Sequence, residues 1–113
     1  MRLKVTDGGR GDAGFKGQTG DCGTRAATIA TGGKYRQVYR ALGKIEAQLT
    51  GGLRTSVRNG TSDATMHRYM TESGWTITLT PGEYLEDAPD TGTFLIVLSG
   101  HFVAVIDGVV HDS

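Results

Sequence analysis

The sequence holds a single cysteine, Cys22, in 113 residues. One thiol excludes an internal disulfide framework and suits a reducing compartment. Proline is scarce, at two residues, so the chain is not a Pro/Gly low-complexity segment. Charge of one sign is lacking too: 12 Lys and Arg stand against 12 Asp and Glu. Proteins that grip nucleic acid through bulk charge carry a basic surplus or stripe, so nucleic acid is not an expected partner. No apolar run reaches the ~18 residues of a membrane span. Met1–Asp7 also lacks the apolar segment of a signal peptide. These absences predict a soluble, cytoplasmic protein with no membrane partner.

At 113 residues the chain is expected to form one domain over 1–113, because domains usually hold about 100–200 residues. Its hydrophobic content of 37% supplies a small core. Glycine is in excess: 18 residues, about 16% against a usual ~7%. Seven of them fall between Gly8 and Gly23. Such a stretch is costly to order and has little to bury. Residues 1–20 therefore read as a Gly-rich, partly flexible arm, with a short extended piece at Leu3–Val5.

Asp21 can cap a helix over Cys22–Ala30, rich in Ala and stopped by Gly32-Gly33. Val38, Leu42, Ile45 and Leu49 step by 4, 3 and 4, one face of a second helix that Gly51-Gly52 ends. Leu53–Asn59 reads as a connection. Thr61-Ser62-Asp63 opens a third helix with Met66, Tyr69 and Met70 on its apolar side, closed by Gly74. Trp75–Thr80 alternates as a half-buried strand does, and Gly82–Gly92 is an acidic loop. Phe94–Leu98 is a continuous apolar run and predicts a strand buried on both faces. His101–Ile106 and Val109–Ser113 flank Asp107-Gly108, a two-residue hairpin signal. Helices first and strands after them predict an α+β fold.

Cys22 falls at a helix N-terminus, where the dipole and the free N–H groups favour the nucleophilic thiolate. Taken alone, a free Cys is better explained as a small buried hydrophobe. His101 opens a strand, and taken alone it also fits an edge histidine. The hairpin joins these residues. With Asp107-Gly108 as turn, Ile106 opposes Val109, Val105 opposes Val110, Ala104 opposes His111 and Val103 opposes Asp112. Alternate residues share a face, so His101 and Asp112 lie diagonally on one face and His111 lies on the other. A carboxylate there can orient an imidazole and stabilise its cation. Asp107 is the second candidate for that role, although turn chemistry explains it better.

Asp21-Cys22-Gly23 opening a helix of small residues, then Gly100-His101-Phe102-Val103-Ala104-Val105 and Asp112, resembles the papain-like cysteine peptidases, most closely the bacteriocin-processing type. It also looks like a set of small phage- and prophage-encoded proteins. The resemblance covers two short blocks. It implies a papain-like α+β fold, with a Cys-bearing helix and further helices packed on a small antiparallel sheet. It implies Cys22 as nucleophile, His101 as general base and acid, and Asp112 as orienter. Gln18 would be the oxyanion-hole donor, though it lies closer to the Cys than the family's usual spacing. The family also carries more sheet beyond its third catalytic position, whereas this chain stops at Ser113, which reads as a truncated or minimal form. The implied function is hydrolysis of a peptide or isopeptide bond in a protein or peptide substrate, without cofactor or metal. Deamidation and acyl transfer use the same residues. The implied place is the host cytoplasm, or the virion for a phage protein. The alternative is an inactive domain of this fold serving as a structural or host-interaction protein.

Other signals carry less. Gly32-Gly33-Lys34-Tyr35 lacks the pattern of a phosphate loop. Arg10-Gly11-Asp12 and Asn59-Gly60-Thr61 match an adhesion tripeptide and a glycosylation sequon by pattern only. His67, His101, His111 and Cys22 show no metal-ligand spacing. Arg36, Arg40 and Lys44 share a helix face that reads as solvated, or as a contact for an acidic partner or nucleic acid.

Overall fold

The elements follow as β1 (Arg2–Val5), α1 (Cys22–Thr31), α2 (Tyr35–Leu49), α3 (Asp63–Glu72), β2 (Thr93–Leu98), β3 (His101–Ile106) and β4 (Val109–Asp112). The computed structural model describes residues 2–5, 21–76, 90–98 and 101–112, with the backbone alone at 2–5, 98 and 112. The expected arm over 6–20, the strand residues 77–80 and the acidic stretch 82–89 lie outside the described residues. Among the described residues no helix is long and apolar enough to cross a membrane.

The helices obey their local signals. Gly32 ends α1 in the left-handed conformation, φ 70°, which a residue without Cβ adopts freely. α2 buries Val38, Leu42 and Ile45, while Leu49 in its last turn is 45% exposed. Ser62 caps α3, its hydroxyl accepting the Thr65 N–H. The connection after α2 is not merely polar. Val57 is fully buried, in one core with Ala26, Leu42, Met66 and Met70.

A buried acid ties α2 to α3. Glu46 Oε1 accepts the Ser62 N–H at 3.2 Å, and Oε2 accepts the Thr65 hydroxyl at 2.8 Å. The Ser62 hydroxyl lies 3.2 Å from Oε2, and Arg54 Nη1 lies 3.6 Å from Oε1. Burial alone pushes this carboxyl up. The hydrogen bonds from Thr65 and Ser62 and the charge of Arg54 outweigh it, and the net shift is downward.

The strands form one sheet in the order β1-β4-β3-β2. β3 and β4 pair as Ala104–His111, Val105–Val110 and Ile106–Val109, the expected register. Asp107 and Gly108 both have positive φ, 48° and 78°, as a two-residue primed turn requires. β2, β3 and β4 are antiparallel, but β1 adds to β4 in parallel. The sheet is therefore mixed where the sequence predicts an antiparallel one. The helices that follow β1 supply the long connection a parallel pair needs. β2 corrects a second expectation. Among the described residues it is an edge strand, with Phe94, Leu95 and Ile96 half-buried and Val97 41% exposed. Both rows of the run have a core beside them, Leu95 on one face and Phe94 and Ile96 on the other, but the cover on each is partial.

β3 is the centre of packing. α1 lies more extensively on β3 than on any other strand. Phe102 joins the helical core, with Leu95 against it. Val103, Val105 and Val110 form a separate core with Phe94 and Ile96. Strand alternation explains the division: one row of β3 meets the helices and the other row lines the opposite face.

Candidate functional site

Cys22 is the first residue of α1 and is half-buried against the helical core. The first N–H groups of a helix have no partner within it. They are the donors that a developing oxyanion beside Cys22 would use. Gly23 follows, and the helix end sits tightly on the chain before α3. A Cβ on Gly23 would stand 3.0 Å from Thr61 Oγ1 and 3.2 Å from Met66 Cε. Thr24 Oγ1 and Thr61 Oγ1 are both buried with no hydrogen-bond partner among the described residues.

Asp21 occupies the N-cap position, yet its side chain makes no cap hydrogen bond. The expected side-chain cap is not made, and the carboxylate is engaged elsewhere. Its Oδ1 accepts from Arg25 Nε at 2.8 Å and pairs with Arg25 Nη2 at 2.6 Å. Its Oδ2 accepts from the Tyr35 hydroxyl at the start of α2. Asp21 is fully buried. A buried charge is tolerated when paired and hydrogen-bonded, and this one spends its lone pairs on two helices rather than on the amides of α1. The spacing of Asp21 and Arg25 is a helical i, i+4 pair that the sequence displays. Nothing local announces Tyr35.

His101 opens β3 and is half-buried. Its register partner is Leu98. By alternation it stands in the row of Val103 and Val105, whereas Cys22 packs with the core that holds Phe102. His111 opposes Ala104 and so falls in the row that faces α1. Asp112 closes β4, opposite Val5. Gln18 lies outside the described residues. Asp107 is a turn residue: its Oδ1 accepts the Gly92 N–H at 2.9 Å, and its own N–H bonds the Gly92 carbonyl at 2.8 Å. It sits at the end of β3 remote from His101.

The basic residues Arg36, Arg40 and Lys44 are exposed on α2, and His67 is exposed on α3. Among the described residues no group of three His, Cys, Asp or Glu side chains is placed to hold a metal ion. Comparison with family models, with curated proteins and with solved structures gave no match.

Proposed function

We propose that the protein is a papain-like cysteine hydrolase acting on a peptide or isopeptide bond. The observation that carries this reading is the placement of Cys22. It is the first residue of a helix laid on β3, the strand that His101 opens. In this reading the Cys22 thiolate attacks the carbonyl carbon, and the N–H groups of the first turn, with Gln18, stabilise the oxyanion. His101 takes the thiol proton and gives it to the leaving amine. Water then releases the acyl group from sulfur, and Asp112 orients the imidazole. The test is digestion of a peptide library with mass-spectrometric detection of new termini. Wild-type protein should produce termini that Cys22→Ala does not. Equal cleavage by both, or none by either, would contradict the reading.

A second reading follows from the row that His101 occupies. The residue aligns with Val103 and Val105 rather than with Phe102, which favours a domain of this fold kept for binding rather than for chemistry.

A further inference from the structure

We propose that the outer face of α2, with residues 53–58 beside it, is a docking surface for an extended acidic segment of another protein, with Asp or Glu at alternate positions and an apolar residue next to the acidic run. Six of the chain's 12 Lys and Arg fall within residues 34–58, against one acid, Glu46. Glu46 is buried, and Ser62 and Thr65 engage its carboxylate. The exposed charge of this stretch is therefore of one sign, in a chain whose formal net charge is zero.

Arg36, Arg40 and Lys44 are exposed and recur every four residues on α2, a spacing of about 6 Å along the helix. Residues 53–58 return beside that row. The Arg54 N–H bonds the Thr50 hydroxyl at 2.9 Å, a Cβ on Gly43 would stand 3.2 Å from the Thr55 carbonyl oxygen, and Ser56 Oγ lies 2.8 Å from the Tyr39 hydroxyl. These contacts run backward along α2 and leave the exposed Arg58 two residues past the Tyr39 contact. Lys34, Arg40, Lys44 and Arg58 make no ion pair among the described residues. Leu53 begins the segment at the C-terminal end of α2 and is 90% exposed. The row selects the partner. Alternate side chains of an extended peptide share a face about 6.6 Å apart, close to the repeat of the cations, so acids at every second position meet successive basic groups. Leu53 then offers an apolar contact beside them. A nucleic-acid strand would supply the negative charge, but such strands are gripped by stacking on exposed aromatic rings, and no exposed residue of 34–58 is aromatic. A second copy of the chain fits less well. Its exposed acids among the described residues stand at the two ends of α3, Asp63 and Glu72, and at the β3–β4 turn, where Asp90 lies beside Gly108. They form no matching row. The surface does not depend on how Cys22 is read.

The test is fluorescence anisotropy of short labelled peptides titrated with the full chain at ~0.15 M salt. One pool carries Asp or Glu at alternate positions followed by Leu. A second has Asn or Gln in place of the acids, and a third keeps the acids but ends in Ser. A thymidine oligonucleotide of similar length reports nucleic-acid binding, and light scattering reports self-association. The first pool should bind at least about tenfold more tightly than the second. Arg40→Glu combined with Lys44→Glu should weaken it about tenfold or more, because like charges then face each other. Leu53→Ser should lower it to the level of the third pool. Arg68→Glu, a reversal on α3, should leave binding within about twofold of wild type. All these side chains are exposed, so the variants should melt as wild type does; should the double variant not fold, Arg40→Glu alone decides by the same comparison. No binding of the first pool, equal binding of the first and second, indifference to the reversal on α2, an equal loss with Arg68→Glu, or indifference to Leu53→Ser would overturn the proposal. Tighter binding of the oligonucleotide would overturn it in favour of nucleic acid, and a salt-sensitive dimer broken by the α2 reversal would overturn it in favour of a second copy.

Discussion

Glu46 Oε1 accepts the backbone N–H of Ser62 at 3.2 Å, so an acid on α2 performs a capping function for α3. In a capping box the third helical residue is an acid that reaches back to the N-cap amide. Here that position is Thr65, which donates its hydroxyl to the same Glu46 carboxylate. The cap and the packing of two helices are one interaction.

This predicts acid lability with a definite sign. The folded-state pKa of Glu46 is lowered from 4.5, so its contribution is complete above the unfolded value. It is lost as pH falls from there through the folded value. Glu46→Gln should cost roughly 1.5–3 kcal/mol at pH 7, the range for hydrogen bonds to a charged group. The deficit should shrink in acid as wild type loses the same interaction. Urea unfolding at a series of pH values measures it; a deficit that stays constant into acid would contradict the account.

Gly23 stands at a close approach between α1 and the chain before α3. A Cβ there meets the Thr61 side chain at 3.0–3.1 Å, so Gly23→Ala should destabilise despite the better helix propensity of Ala. Overpacking of this kind costs about 1–3 kcal/mol. Thermal unfolding of the variant should show a lower midpoint; an unchanged or raised one would mean that the chain before α3 yields freely.

Thr24 offers the opposite case. Its hydroxyl is buried with no partner among the described residues, and a Val side chain has nearly the same shape. Thr24→Val should be neutral or stabilising by up to about 1 kcal/mol, because an unsatisfied buried hydroxyl is relieved. Clear destabilisation in urea titration would show that this hydroxyl has a partner in solution.

At the hairpin, Asp107 has φ 48° and bonds the Gly92 N–H at 2.9 Å. Asn tolerates that backbone and keeps an acceptor, whereas Ala does neither. Asp107→Ala should cost about 1–2 kcal/mol and Asp107→Asn much less. Equal costs by chemical denaturation would remove the side-chain bond from the explanation.

Much of this fold is written locally. Val38, Leu42 and Ile45 recur at helical spacing and are buried; Asp107-Gly108 fixes the β3–β4 register. What escapes local reading is set by distant partners. The partners of Glu46 have no local signal, because Ser62 and Thr65 lie 16 and 19 residues on. β1 reads only as an extended piece, since its partner β4 is at the other end of the sequence. At the candidate site, Cys22 at a helix start was legible from the small residues after it. The engagement of Asp21 with Tyr35, 14 residues away, was not, because side-chain capping is the ordinary local use of an Asp in that place. The row occupied by His101 followed from alternation, but which row would meet α1 needed the packing of Phe102.

The most direct test of the proposed Cys22–His101 pair is the pH dependence of Cys22 alkylation in wild type, His101→Ala and His111→Ala. The wild-type profile of alkylation rate against pH should report a thiol coupled to an imidazole. It should move upward in pH with His101→Ala and stay in place with His111→Ala. A profile indifferent to His101, or one that answers to His111 instead, would contradict the pairing.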